Sequence, residues 1–201
     1  MLVLHGATWL GLKAERGPIQ KRAFAIGTVA GLLSLVLFAA GGAWVAFGDL
    51  GFRIVSEVDP NGFSNPLRST VEAAGGAWMD NYAAFPWMLI APALGFLGTA
   101  AALLGLWRKS EPVAFIGSSA ATVGIISTVG LSMFPFILPS SIDPGSSLTV
   151  WNASSSHLTL FIMLGVTVVF LPLILIYTAW VYKVLWGRST TAALKTNPDL
   201  Y

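Results

Sequence analysis

Apolar residues in this chain are gathered into long runs rather than alternated with polar ones. Four runs hold no Asp, Glu, Lys or Arg: 23–48, 83–107, 112–139 and 158–182. At a rise of about 1.5 Å per residue, each is long enough to cross a hydrocarbon core of about 30 Å with some tilt. A fifth run, 1–12, has about half the roughly 20 residues a spanning helix needs. Lys13, Arg16, Lys21 and Arg22 follow that run instead of preceding it, the reverse of a signal peptide, so it reads as the trailing part of a span. The pattern predicts an all-α integral membrane protein: a bundle of four full transmembrane helices plus a partial N-terminal one.

Between the runs lie one long polar segment, 49–82, and a tail, 183–201. Asp59-Pro60-Asn61-Gly62 and Asn65-Pro66 are turn signals. After them Leu67, Val71, Ala74 and Trp78 fall on one stripe, which predicts a short helix lying at the interface; Gly75-Gly76 favours the alternative, an ordered loop packed on the bundle. Residues 134–156 read FPFILPSSIDPGSSLTVWNASSS. Pro135 and Pro139 are placed to kink and end the preceding helix, and Asn152 or one of Ser154 to Ser156 to cap the next.

Composition agrees: 55% of residues are hydrophobic and only 10% charged, too apolar for an ordinary soluble domain. Nine of the eleven basic residues lie on one side of the predicted spans, with Arg53 and Arg68 alone on the other. The positive-inside rule puts the nine, and the C-terminus, in the cytoplasm. Trp78, Trp87 and Trp151 then sit near outer span ends and Trp107, Trp180 and Trp186 near inner ones, as interfacial rings should. Eleven dispersed cations make no nucleic-acid footprint, and the absence of cysteine excludes disulfides and thiolate sites.

Proton paths and redox centres inside membranes use buried ionisable groups, which are costly there. The four full runs have none. His5 and His157 read as packing or interfacial residues rather than haem ligands, and the five methionines show no pairing with either. No catalytic, cofactor-binding or metal-ligating residue is therefore assigned. Gly27 and Gly31, Gly41-Gly42, Gly95 and Gly98, and the Gly- and Ser-rich stretch 117–130 predict close helix packing with hydroxyls bonding across. Pro92 and Pro172 predict kinks. Kinked, glycine-rich helices also suit a fragment of a transporter or permease, the competing reading.

Several blocks carry a resemblance: HGATWLGLKAERGPIQKRA (5–23), SNPLRSTVEAAGGAW (64–78), SMFPFILPSSIDPGSSLTVWNASSSHLTL (132–160) and IYTAWVYKV (176–184). In them the chain resembles the C-terminal half of subunit II of the bacterial cytochrome bd quinol oxidases. The resemblance implies a haem-free supporting subunit, multi-pass in the bacterial plasma (inner) membrane. Its partner would be a haem-bearing subunit I that holds haem b and haem d, oxidises quinol and reduces dioxygen to water; a small third subunit is a further candidate partner. It also implies that an N-terminal half is absent, with the acidic residues linked to proton delivery. The family usually has aspartate where Asn152 stands, so a charged contact there becomes a neutral hydrogen bond. Within this frame Pro135, Pro139, Ser140, Trp151, Asn152, Ser154 and Ser155 are expected to form a rigid outer corner, a structural or interface site touching subunit I.

Overall fold

A computed structural model describes residues 1–59, 62, 64, 65, 67, 69–184, 187, 188 and 190. The chain is mostly helical and divides into two compact units. Four of its helical segments are long and apolar enough to cross a membrane: Pro18–Phe47, Pro86–Trp107, Glu111–Met133 and His157–Val184.

The first unit comprises Met1–Leu50, Trp78–Ser132 and the chain from Arg188. Helix α1 (Leu2–Lys13) turns at Gly17 into α2 (Pro18–Phe47), whose first position is the proline, where a missing N–H costs nothing. A short helix α3 (Asp80–Ala84) and a 3-10 turn (Pro86–Leu89) lead into α4 (Ile90–Trp107), followed by α5 (Glu111–Met133). Leu4, Ala102, Leu106 and Ala114 form the fully buried centre, with Phe24 and Ala30 packed against it.

Small residues set the spacing. A Cβ on Gly98 would stand 2.5 Å from the Ala121 nitrogen, and one on Gly117 2.5 Å from that of Ala102. The α4 and α5 backbones thus touch where only glycine fits, the close approach that stabilises helix pairs in lipid. Gly27 and Gly31 of α2 receive side chains instead, Ala7 and Leu106 at one and Leu103 and Leu4 at the other. Most hydroxyls do not bond across helices as expected. Thr99, Ser119, Thr122 and Thr128 donate to carbonyls one turn back in their own helix, an easily met local alternative. Ser118 does reach across, lying 2.7 Å from Thr8 Oγ1 and 3.0 Å from His5 Nδ1 on α1.

The orphan carbonyls at the end of α5 are taken up by the segment before α4. The Asn81 amide donates to Leu131 O at 2.9 Å and to Ser132 O at 3.3 Å, and the Tyr82 hydroxyl adds a bond to Thr128 O one turn earlier at 3.1 Å. Helix ends need such partners. Pro92 falls in the first turn of α4, so the mid-span kink expected there does not arise.

The second unit comprises Gly51–Ala77 and Met133–Gly187. Strands β1 (Phe52–Ile54) and β2 (Val71–Ala73) pair antiparallel with Arg53 opposite Glu72. The interfacial helix predicted from Leu67 is absent: Val71 to Ala73 is extended because β1 supplies a partner for its backbone. Gly51 sits at φ +146°, and a Cβ there would lie 2.5 Å from Ala74 O, so the strand start requires glycine. Of the two predicted turn signals, Pro60, Asn61 and Pro66 lie outside the described residues, as do Arg68, Trp186 and Lys195.

Residues 134–156 also depart from the run that predicts them. The helix ends at Met133, six residues short of Pro139, and β3 (Phe136–Leu138) pairs through a bulge with β4 (Leu148–Thr149). Pro135, expected to kink the helix before Pro139 ends it, already stops it, because its ring cannot continue the ladder, and the remaining apolar residues have the β-branched and aromatic character that suits a strand. Helix α6 (His157–Val184) closes the unit, with Pro172 in its interior and no buried residue.

Candidate functional site

The proline- and serine-rich stretch is a hairpin locked by its own polar groups. Pro135 follows a cis peptide bond, and its carbonyl accepts the Val150 N–H at 2.9 Å. Beyond β3 and Pro139, the tip turns through a 3-10 segment, Pro144–Ser146, capped by Asp143, whose two oxygens accept from Gly145 N at 3.1 Å and Ser146 Oγ at 2.7 Å. The Ser140 N–H donates to Ser147 Oγ at 3.0 Å across the neck of that tip.

Asn152 is the hub. It is buried, its Oδ1 accepts the Thr149 N–H at 2.7 Å, and its Nδ2 donates to Ser69 Oγ at 2.6 Å and to Ser147 O at 3.3 Å. One amide therefore ties the hairpin to itself and to the segment before β2. Both amide hydrogens are used, so asparagine does here what an ionised aspartate, an acceptor only, does not. Trp151 is partly exposed, edge-on to Phe134 at 6.5 Å. With Asn152, Ser69, Asn65, Glu57 and Asp59 it lines a recess of about 330 Å³.

The structure thus brings Pro135, Ser140, Trp151 and Asn152 into one hairpin, with Pro139 at its turn. Ser154 contributes its carbonyl, which accepts from Ser64 Oγ at 2.6 Å, and Ser155 is simply exposed. The cap of α6 is Ser156, whose Oγ accepts the Thr159 N–H at 3.4 Å and pairs with Thr159 Oγ1 at 2.9 Å. Ser69, Ser147 and Thr149 were not read as part of the site. Ser147 and Thr149 are fully buried, and the Thr149 hydroxyl has no hydrogen-bond partner among the described residues. Alternation in the motif, with Ser147, Thr149 and the facing Phe136 turned inward, is the signal that a strand reading would have used.

A second constellation lies in the first unit. Glu111, the first residue of α5, is buried. Its carboxylate accepts from Gln20 Nε2 at 2.9 Å, is bonded by the Arg188 guanidinium, and stands 3.8 Å from Arg16 Nε. Gln20 also holds the Gly11 carbonyl at 2.8 Å. A carboxylate in the first helical turn is favoured by the helix dipole. Glu111 stands one position before Pro112, where the uncharged run begins. Among the described residues, no group of three His, Cys, Asp or Glu side chains gathers as a metal site. His5 is hydrogen-bonded to Ser118 and stacked on Phe115 at 5.2 Å, and His157 opens α6 at an exposed position.

The family model described as "Cytochrome bd terminal oxidase subunit II" matches residues 1–185. The chain belongs to this family. It is 40% identical over 197 residues to the cytochrome bd-I ubiquinol oxidase subunit 2 of Escherichia coli strain K12, covering 98% of this chain and 52% of that protein. It is 37% identical over 199 residues to the probable cytochrome oxidase subunit 2 of Haemophilus influenzae, with the same coverage. The chain spans about half the length of these curated relatives. In this member of the subunit II family, the hairpin, the Asn152 hub and the Glu111 cluster all lie within or just beside the matched residues.

Proposed function

We propose that this chain is a haem-free supporting component of a cytochrome bd-type quinol oxidase in the bacterial inner membrane. Its haem-bearing partner, subunit I, oxidises quinol and reduces dioxygen to water, and this chain covers part of that partner and supports its assembly. The family match along residues 1–185 carries the reading. The ordered hairpin supports it: a partly exposed tryptophan on a hydrogen-bonded frame is a rigid contact surface, and such surfaces lose little entropy on binding. The cation-bearing end of the first unit faces the cytoplasm, where the positive-inside rule puts it.

The test is affinity purification from mild detergent after expression beside the genomic neighbours, followed by a reduced-minus-oxidised visible spectrum. Haem d and b-type bands travelling with the chain are the expected result; a colourless preparation overturns the reading. Trp151→Ala is expected to lower the yield of haem-bearing complex several-fold while leaving the chain in the membrane. Unchanged haem d absorbance removes the hairpin from the interface.

A further inference from the structure

The first unit is strongly polarised. Its helices run antiparallel, as Gly27 against Leu106 and Gly95 against Phe38 require, so the α1–α2 turn and the α4–α5 turn lie at one end. That end carries Lys13, Arg16, Lys21, Arg22, Arg108 and Lys109 against the acids Glu15 and Glu111, and the other carries Asp49 and Asp80. The contact between Gln20 and Glu111 sets the start of α2 level with the start of α5, which places Lys21 and Arg22 at the height of Arg108 and Lys109.

Among the described residues, no ion pair occupies these four cations. The buried acid at this end, Glu111, is taken by Gln20, Arg188 and Arg16. All four are exposed, and no carboxylate among the described residues pairs with them. Lys109 adopts φ +56° in the α4–α5 turn, a position where glycine is the default, so a charged side chain is kept there against a conformational cost. Exposed apolar side chains follow within two turns: Trp107 and Leu104 on α4, and Ile26 on α2.

We infer that Lys21, Arg22, Arg108 and Lys109 form a binding site for the headgroup of an anionic phospholipid, with its acyl chains against the apolar helix faces below. Cations alone would suit any acidic partner. Cations at the ends of spanning helices, beside exposed apolar surface, suit a ligand that is anionic at one end and hydrocarbon at the other. Arginine adds bidentate recognition of phosphate oxygens. This inference does not depend on the oxidase reading.

The test is native mass spectrometry of the full chain in mild detergent, titrated with phosphatidylglycerol or phosphatidylcholine of matched chains. Phosphatidylglycerol is expected to be retained about tenfold more strongly, with the preference shrinking in high salt. The quadruple variant Lys21→Gln, Arg22→Gln, Arg108→Gln, Lys109→Gln is expected to abolish the preference, and Lys183→Gln to leave it. The pair Arg108→Gln, Lys109→Gln, with its lipid-free melting checked, serves if the quadruple variant does not fold, and is expected to cut the preference to about threefold. Equal retention of both lipids, or an unchanged preference in a folded variant, overturns the site. So does full displacement by inorganic phosphate, which marks a simple anion site, or selective capture of a polyglutamate peptide with no lipid preference.

Discussion

Asn152 concentrates more of the hairpin's order in one side chain than any neighbour does. Its three hydrogen bonds cross from β4 to Ser147 and to Ser69, and a buried polar group left unpaired costs about 1–3 kcal/mol. Asn152→Ala orphans the Thr149 N–H and the Ser147 carbonyl, so the chain should lose on the order of 3 kcal/mol, read as a lower unfolding midpoint in detergent. Tyr82 offers a second test at this scale. Burial pushes its phenol above the ordinary value near 10, with its hydrogen bond to Ser132 pulling the other way. A group with a raised folded-state pKa contributes stability that is complete below its unfolded value and fades as pH climbs through the folded one. Melting temperature should therefore fall as pH rises above about 10, and Tyr82→Phe should flatten that part of the profile.

At the scale of elements, α4 and α5 hold together through backbone contact rather than large side chains. Gly117→Ala inserts a methyl group where the Ala102 nitrogen already stands, and the pair must separate or shift. A loss of about 1–3 kcal/mol is expected, as for other overpacked sites; the same change at Gly41, where a Cβ meets open space inside α2, should cost nothing and stabilise by up to about 1 kcal/mol. These two glycines looked alike in the sequence. Long apolar runs announce spanning helices because the requirement is length and lack of charge, and that much was legible. Which glycine faces a partner depends on helix rotation, which the runs do not encode. The strands β1 to β4 were missed for a related reason: each is two or three residues long and takes its conformation from a partner distant in sequence. The hairpin's membership was legible through its prolines and Trp151, whereas its buried partners Ser69 and Thr149 were not, since an isolated serine or threonine announces no burial.

Across the whole molecule, the two units divide the work. The helical one is polarised from end to end, and the other presents the hairpin. In the first, Arg188 reaches Glu111 from beyond the last spanning helix in sequence, so a residue near the C-terminus helps to satisfy a buried acid at the start of α5. Arg188→Ala leaves that carboxylate with Gln20 and the exposed, weakly coupled Arg16. Arg188 is itself partly exposed, which limits the loss to about 1–2 kcal/mol; Glu111→Gln combined with Arg188→Ala should recover part of it. A double-mutant cycle on detergent unfolding measures the coupling.

The paired glycines carry a further consequence. Gly98 and Gly105 on one helix, and Gly117 and Gly124 on the other, are each seven residues apart, and each meets the opposite helix within touching distance. The two helices mesh like racks cut to the same pitch. One deleted residue in either throws every later tooth out of step, so insertions and deletions along this lineage should occur in the connecting segments, and a length change in α4 should survive only beside a matching one in α5.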